Sequence, residues 1–166
     1  MASSAVAALK TQPDGEDEKA LRLEGFLPYR LNLLATEVSQ TLARAYGKRF
    51  GISIPEWRII ATLGQFGVMT ARDIGTHSRM HKTTVSRAVA TLEKRRLVIR
   101  RANRADMREA FLALTDAGSA VYLDIVPMAK SFSESLCLGL STSEREMLEA
   151  LLDRLSERVV HLSSLG

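Results

Sequence analysis

Lys82, Thr83, Thr84, Ser86, Arg87 and Thr91 gather short hydroxyls and cations within one short segment. Such groups hydrogen-bond phosphate oxygens and base edges. Between them Val85, Val89 and Leu92 recur at i, i+4 and i+7, the spacing of a single buried helical stripe. His81 to Arg95 therefore predicts an amphipathic helix whose polar face suits a DNA groove. The bland alternative is a solvated helix face, and the distribution of charge argues against it. Between Thr70 and Arg108 stand eleven Lys or Arg against three acidic residues, a net of +8, so the remainder carries −4 of the total +4. A basic segment on an otherwise acidic chain is the electrostatic footprint of a polyanion partner.

Other chemistries find little support. No nucleophile lies beside a base, no glycine-rich loop is built to cradle phosphate, and no pair of acids falls in a plausible pocket. The expectation is a protein that is not an enzyme and carries no cofactor. His77, His81 and His161 are scattered and Cys137 is the single cysteine, so no metal-ligand spacing appears. Cys137 reads as a small apolar filler near a helix end, with no flanking cation to activate its thiol. Apolar residues make up 46% of the chain and charged residues 25%, without the run of about 18 apolar residues that a membrane span needs. The first ten residues lack the cationic start and solid apolar core of a signal peptide. A cytoplasmic location without membrane partners is expected.

The elements that must position the polar face follow from local signals. Residues 1–22 read as a flexible N-terminal arm, because they offer little apolar surface to offset the entropy of ordering. A long helix starts at Pro28 and runs to about Phe50, with Gly51 ending it and Leu31, Leu34, Val38, Leu42, Ala45 and Tyr46 as its stripe. Ser53 to Glu56 is a capping box for a helix through Trp57, Ile60 and Leu63. Thr70 starts a short helix anchored by Ile74 and ending near His77, and Ser78-Arg79-Met80 turns into the polar-faced helix, a helix-turn-helix arrangement. After Leu97 the period changes to two, so 97–101 and 109–114 read as strands joined by a polar loop. Thr115 caps a helix to about Leu136 that Pro127 is expected to kink, and Ser141 to Glu144 is a second capping box before a last helix ending near Leu162.

The fold class expected is mainly α with a small β-hairpin wing: a winged helix-turn-helix flanked by N- and C-terminal dimerisation helices. The winged lobe spans 53–115 and the dimerisation helices occupy 23–52 and 116–166. These flanking helices present more apolar surface than a small winged unit can cover, which points to a second copy of the chain. A two-fold homodimer would place two polar-faced helices about one DNA turn apart and match a pseudo-palindromic duplex.

Asp106-Met107-Arg108-Glu109-Ala110-Phe111-Leu112-Ala113-Leu114-Thr115-Asp116-Ala117-Gly118 resembles the D-x-R-x-x-x-L-x-L-T-x-x-G signature of the MarR family of winged-helix transcription regulators. Lys82 to Arg87, preceding Leu92-Glu93-Lys94-Arg95, resembles that family's recognition helix, and order and spacing agree from about Pro28 to Leu162. Phe26 to Leu31, followed by Ile54 to Arg58, further resembles members that control aromatic-acid catabolism.

The resemblance implies a repressor that binds double-stranded DNA. Thr83, Thr84, Ser86 and Arg87 would enter the major groove, where the planar fork of Arg87 matches guanine O6 and N7, and Lys82 would sit on phosphate. Arg104, Asp106 and Arg108 would lie at the wing, with Arg108 in a minor groove. Asp106 either orients a wing arginine or forms the turn beside Asn103. The resemblance also implies release from DNA by a small effector, an aromatic carboxylate or an aromatic acyl-coenzyme A. Tyr29, Arg30, Asn32, Trp57, Ile60 and Tyr122 would hold it, Arg30 and Asn32 supplying an anion clamp. Equally open from the residues, Arg30 pairs with an acid such as Glu24 and Trp57 is ordinary core. Two other function classes stay open: a constitutive architectural DNA binder without an effector, and a ligand-binding dimer that no longer binds DNA.

Overall fold

The computed structural model describes residues 21–102 and 110–165. It divides into two compact units, Met1–Val38 and Ser39–Gly166, with the boundary inside the first long helix. That helix, α1, spans Leu27–Phe50 after a single 3-10 turn at Leu23–Gly25. It is followed by α2 (Ile54–Phe66), β1 (Met69–Thr70), α3 (Ala71–Ser78) and α4 (Lys82–Lys94). Then come β2 (Val98–Ala102), β3 (Ala110–Leu114), α5 (Asp116–Leu136) and α6 (Thr142–Ser163). The mainly helical winged helix-turn-helix expected from the sequence is the fold observed.

In the first unit the described residues before Val38 are exposed, among them Leu27, Tyr29, Leu31, Leu33 and Leu34. Thr36 turns its hydroxyl back onto the Asn32 carbonyl at 2.8 Å, a local bond that α-helical geometry offers a threonine four residues on. The second unit holds the core. There Ile59, Ile60 and Leu63 of α2, Ile74 of α3, Val85, Ala88, Val89 and Leu92 of α4, Leu112 of β3 and Ile125 of α5 are buried in one cluster with Tyr46 of α1. The three residues expected as the stripe of α4 are all in it, and Ala88 joins them. At the end of α1 the expectation is corrected. Leu42 and Tyr46 face the cluster as expected, but Ala45 is exposed and Ala43 and Phe50 join them in its place, since the position of the core selects one side of a broad apolar stripe.

The sheet contains one strand that the alternation of residue types did not reveal. β1 is only two residues long and pairs antiparallel with β3, Met69 opposite Leu112 and Thr70 opposite Phe111, so the order is β1-β3-β2. Two residues are too few to show a period, and Thr70 carries a second signal as the N-cap of α3. Its hydroxyl accepts from the Asp73 amide at 3.1 Å and bonds the Asp73 carboxylate at 2.8 Å. β2 and β3 pair antiparallel from Val98 opposite Leu114 to Ala102 opposite Ala110, so the first wing strand begins one residue later than expected, and Glu109 lies outside the described residues. Pro127 lies inside α5 without ending it.

Both expected capping boxes are present. Ser53 donates its backbone and hydroxyl protons to Glu56 at 2.7 and 2.8 Å, and Ser141 does the same to Glu144 at 2.7 Å each. These bonds favour the charged carboxylate, the Ser141 hydroxyl first and its backbone amide second, and hold Glu144 below the usual range. The Thr-x-x-Gly end of the signature also has a physical reason. Thr115 caps α5 by accepting from the Gly118 amide at 3.0 Å while donating to the Arg96 carbonyl at 2.7 Å. A Cβ on Gly118 would collide with the Leu97 carbonyl oxygen and backbone, so only glycine lets the first turn of α5 approach the end of α4 this closely. Gly118→Ala is expected to lower stability by about 1–3 kcal/mol, the range for forced overpacking, read as a shift of the urea unfolding midpoint.

Candidate nucleic-acid interface

Two short helices build the polar face. α3 ends at Ser78, and Arg79 takes a left-handed conformation, φ 53°, a region that disfavours a side chain with Cβ. This single residue reverses the chain. Met80 returns its amide to the Gly75 carbonyl at 3.0 Å, and α4 starts two residues later. His81, expected inside the helix, is its N-cap. Its Nδ1 accepts from the Thr83 amide at 3.4 Å and lies 2.9 Å from the Thr83 hydroxyl, so it occupies the place usually taken by serine, threonine, asparagine or aspartate. Sequence reading missed this because histidine is not among the usual caps. The available signal was its position directly after a turn.

Burial then divides α4 into two faces. Val85, Ala88, Val89 and Leu92 point inward, while Lys82, Thr83, Ser86 and Arg87 are exposed and Thr84 is half-buried. The five residues expected to meet DNA on α4 thus lie on one turn and a half of one helix, free of the core. Beside them α3, α4 and the sheet enclose a concavity of about 530 Å³, rimmed by Thr76, Lys82, Ser86 and Arg100 over a floor of Val85 and Val89. Arg104, Asp106 and Arg108 of the wing lie outside the described residues.

Two exposed cations of the basic segment are also bonded within the protein. Arg100 bonds Glu93 through Nε at 2.8 Å, and Arg95 donates to the carbonyls of Phe50, the last residue of α1, and of Gly51 after it. Counting charge along the chain credited both to a polyanion, because linear spacing does not show which acceptors the fold brings within reach.

The residues expected to hold an effector fall in different settings. Tyr29, Arg30 and Asn32 are exposed near the start of α1. Trp57 and Tyr122, both half-buried, stack at 6.4 Å between ring centres, and Tyr46 lies 5.6 Å from Trp57. Ile60 is fully buried in the core. Gly64 makes room for this aromatic group, since a Cβ there would stand 2.5 Å from the Tyr122 ring. Among the described residues no group of three His, Cys, Asp or Glu is arranged to hold a metal ion, and no helix is long and apolar enough to cross a membrane.

Residues 50–109 match the family model described as MarR family. Together with this fold, the match makes the central segment of the chain similar to the MarR family. The chain is 24% identical over 110 residues to the HTH-type transcriptional regulator YwaE of Bacillus subtilis, a match covering 66% of this chain and 64% of that protein. The chain therefore spans just under two thirds of that relative. A MarR/EmrR family regulator from Acinetobacter superposes with a TM-score of 0.77 at 26% identity, covering 85% of this chain and 99% of that one. BpsR of Bordetella bronchiseptica, whose DNA binding is regulated by 6-hydroxynicotinic acid, shares the fold with a TM-score of 0.65 at 22% identity, over 76% and 98% of the two chains.

Burial of Tyr46, only 1% exposed, gives this region of the core a measurable pH dependence. Desolvation raises its phenol from 10.0 to about 12, opposed in part by the charge of Arg58. The folded state therefore keeps a proton that the unfolded chain releases. The stability held by the neutral phenol is complete below about pH 10 and is lost as pH rises toward 12, at up to about 1.4 kcal/mol per pH unit. Urea unfolding across this window is expected to fall more steeply for the parent than for Tyr46→Phe.

Proposed function

We propose that the protein is a homodimeric, sequence-specific DNA-binding transcriptional regulator, a repressor released from its operator by a small aromatic acid or its coenzyme A thioester. The observation that carries this reading is the division of α4, where Val85, Ala88, Val89 and Leu92 are buried and Lys82, Thr83, Ser86 and Arg87 are turned out. A helix held rigidly by its apolar stripe can present hydroxyls and a guanidinium to a major groove without ordering cost. In this reading Lys82 contacts phosphate, Thr83, Thr84, Ser86 and Arg87 read base edges, and Arg104, Asp106 and Arg108 serve a wing in the adjacent minor groove.

Homodimerisation is supported by apolar surface that the single chain leaves open. α6 buries none of its residues, and Met147, Leu148, Leu151, Leu152, Leu155 and Val159 remain 38–60% exposed. Such a stripe at three- and four-residue spacing suits another helix. Two copies would place two α4 helices on one face of a duplex and favour a pseudo-palindromic site. Support for the effector is the aromatic surface of Trp57 and Tyr122, stacked and half-buried in the second unit, beside the regulation of BpsR, which shares the fold, by 6-hydroxynicotinic acid; Tyr29, Arg30 and Asn32 are carried over from the sequence as the further groups proposed to hold it.

Selection from a random duplex pool tests the central claim. The parent should enrich one pseudo-palindromic sequence; binding without enrichment would indicate an architectural role, and no binding a ligand-binding protein only. On the enriched duplex Arg87→Ala should cost about 1–3 kcal/mol and relax preference at one base pair, whereas Arg108→Ala should weaken binding more evenly across sequences. Light scattering of Leu151→Glu/Leu155→Glu should show the monomer mass where the parent shows the dimer. Titrating phenolic acids and their thioesters into the DNA complex tests the effector, and release by neither class would remove that part of the reading.

A further inference from the structure

The last residues of α4 are joined to three separate elements. Arg95, the C-cap of the helix, donates from Nη1 to the Gly51 carbonyl at 2.8 Å and from Nη2 to the Phe50 carbonyl at 2.6 Å. Those carbonyls close the C-terminal end of α1, where backbone acceptors are left over and the helix dipole is negative. Two residues earlier Glu93 binds Arg100 of β2 at 2.8 Å. One residue later Arg96, held at φ 58°, accepts the Thr115 hydroxyl at 2.7 Å through its carbonyl. Residues 93–96 thus connect α4 to α1, to the wing and to the cap of α5, and the link through Arg95 spans 44 and 45 positions of sequence.

We infer that Arg95 is a positioning residue for DNA recognition, seating the C-terminal end of α4 on the end of α1 and so setting the angle at which Thr83, Ser86 and Arg87 meet a groove. Two features carry this. Both terminal nitrogens of the guanidinium are directed at main-chain carbonyls of the protein itself, so Arg95 has an internal role available to it despite its position in the most basic stretch of the chain. Two carbonyls from successive residues also require two donors in a fixed fork, which arginine has and the single ammonium of lysine does not. Any displacement of the end of α1 is then passed to α4 by a short polar link instead of being absorbed by loose packing. This inference rests on the reading of α4 as the DNA-reading helix.

The test uses the duplex enriched by the parent, a random duplex, and the full-length variants Arg95→Lys and Arg95→Gln, with concentrations referred to folded protein by circular dichroism. Both variants should bind the enriched duplex roughly tenfold more weakly, the scale of one lost directional contact. Binding to random duplex and the slope of log affinity against log salt should stay at the parent's values. A phosphate contact would behave differently: Arg95→Lys would bind as the parent, and Arg95→Gln would reduce the salt slope by about 0.9 and weaken random binding too. That pattern, or parental binding by both variants, overturns the inference. If the parent enriches no sequence, the proposed function fails instead.

Discussion

The burial of one face of α4 against α2 is the contact on which the rest of the second unit depends. Ile59, Ile60 and Leu63 of α2 and Val85, Ala88, Val89 and Leu92 of α4 belong to one cluster in which most members are almost wholly excluded from water, and α2 also packs on α3, α5 and β3. Each large aliphatic side chain buried in this way contributes roughly 1.5–3 kcal/mol relative to exposure. That is far more than the polar bonds at the helix ends supply. The apolar stripe also fixes rotation about the helix axis, because turning α4 by one residue would bring Thr84 or Ser86 into the cluster without a partner. What the outer face presents is therefore a consequence of what the inner face buries.

Polar groups then refine a geometry that packing has already chosen. His81 and Arg79 determine where α4 begins, one by accepting an otherwise unpaired amide and the other by taking a left-handed turn. Glu93, Arg95 and Arg96 determine where its end sits relative to the wing, α1 and α5. Thr115 and Gly118 complete the junction, the first by donating to Arg96 and the second by having no side chain to obstruct it. The apolar sides of α6 and of the start of α1 take no part in this arrangement, and their exposure is the main reason for reading a second copy into the functional unit.

How much of this was legible in the residues varied with the range of the interaction. Capping boxes at Ser53 and Ser141, the Thr115 cap and the i, i+4, i+7 stripe of α4 were readable because each is complete within a few residues. β1 was not, since a strand of two residues exists only through its partner β3. The stripe of α1 was read partly wrongly for a similar reason: its sequence is apolar on more than one side, and only the position of the core selects Ala43 over Ala45. On the candidate interface the hydroxyls and Arg87 were visible at once. The His81 cap and the internal use of Arg95 and Arg100 were hidden, because one is an uncommon cap and the others act through acceptors brought in from elsewhere.

The sequence by itself determined the helix periods, the caps, the basic character of the 70–108 segment and the motif that resembles the MarR signature. Every one of those properties is local, decided by backbone hydrogen bonding within a turn or by the identity of neighbouring side chains. Tertiary structure alone decided which cations are bonded within the protein, which side of α1 enters the core and why position 118 must be glycine. Those outcomes depend on groups far apart in the chain arriving at hydrogen-bond or van der Waals distance. An arginine at position 95 looks the same in sequence whether it meets a phosphate or two carbonyls 44 and 45 residues away, and only the fold distinguishes the two.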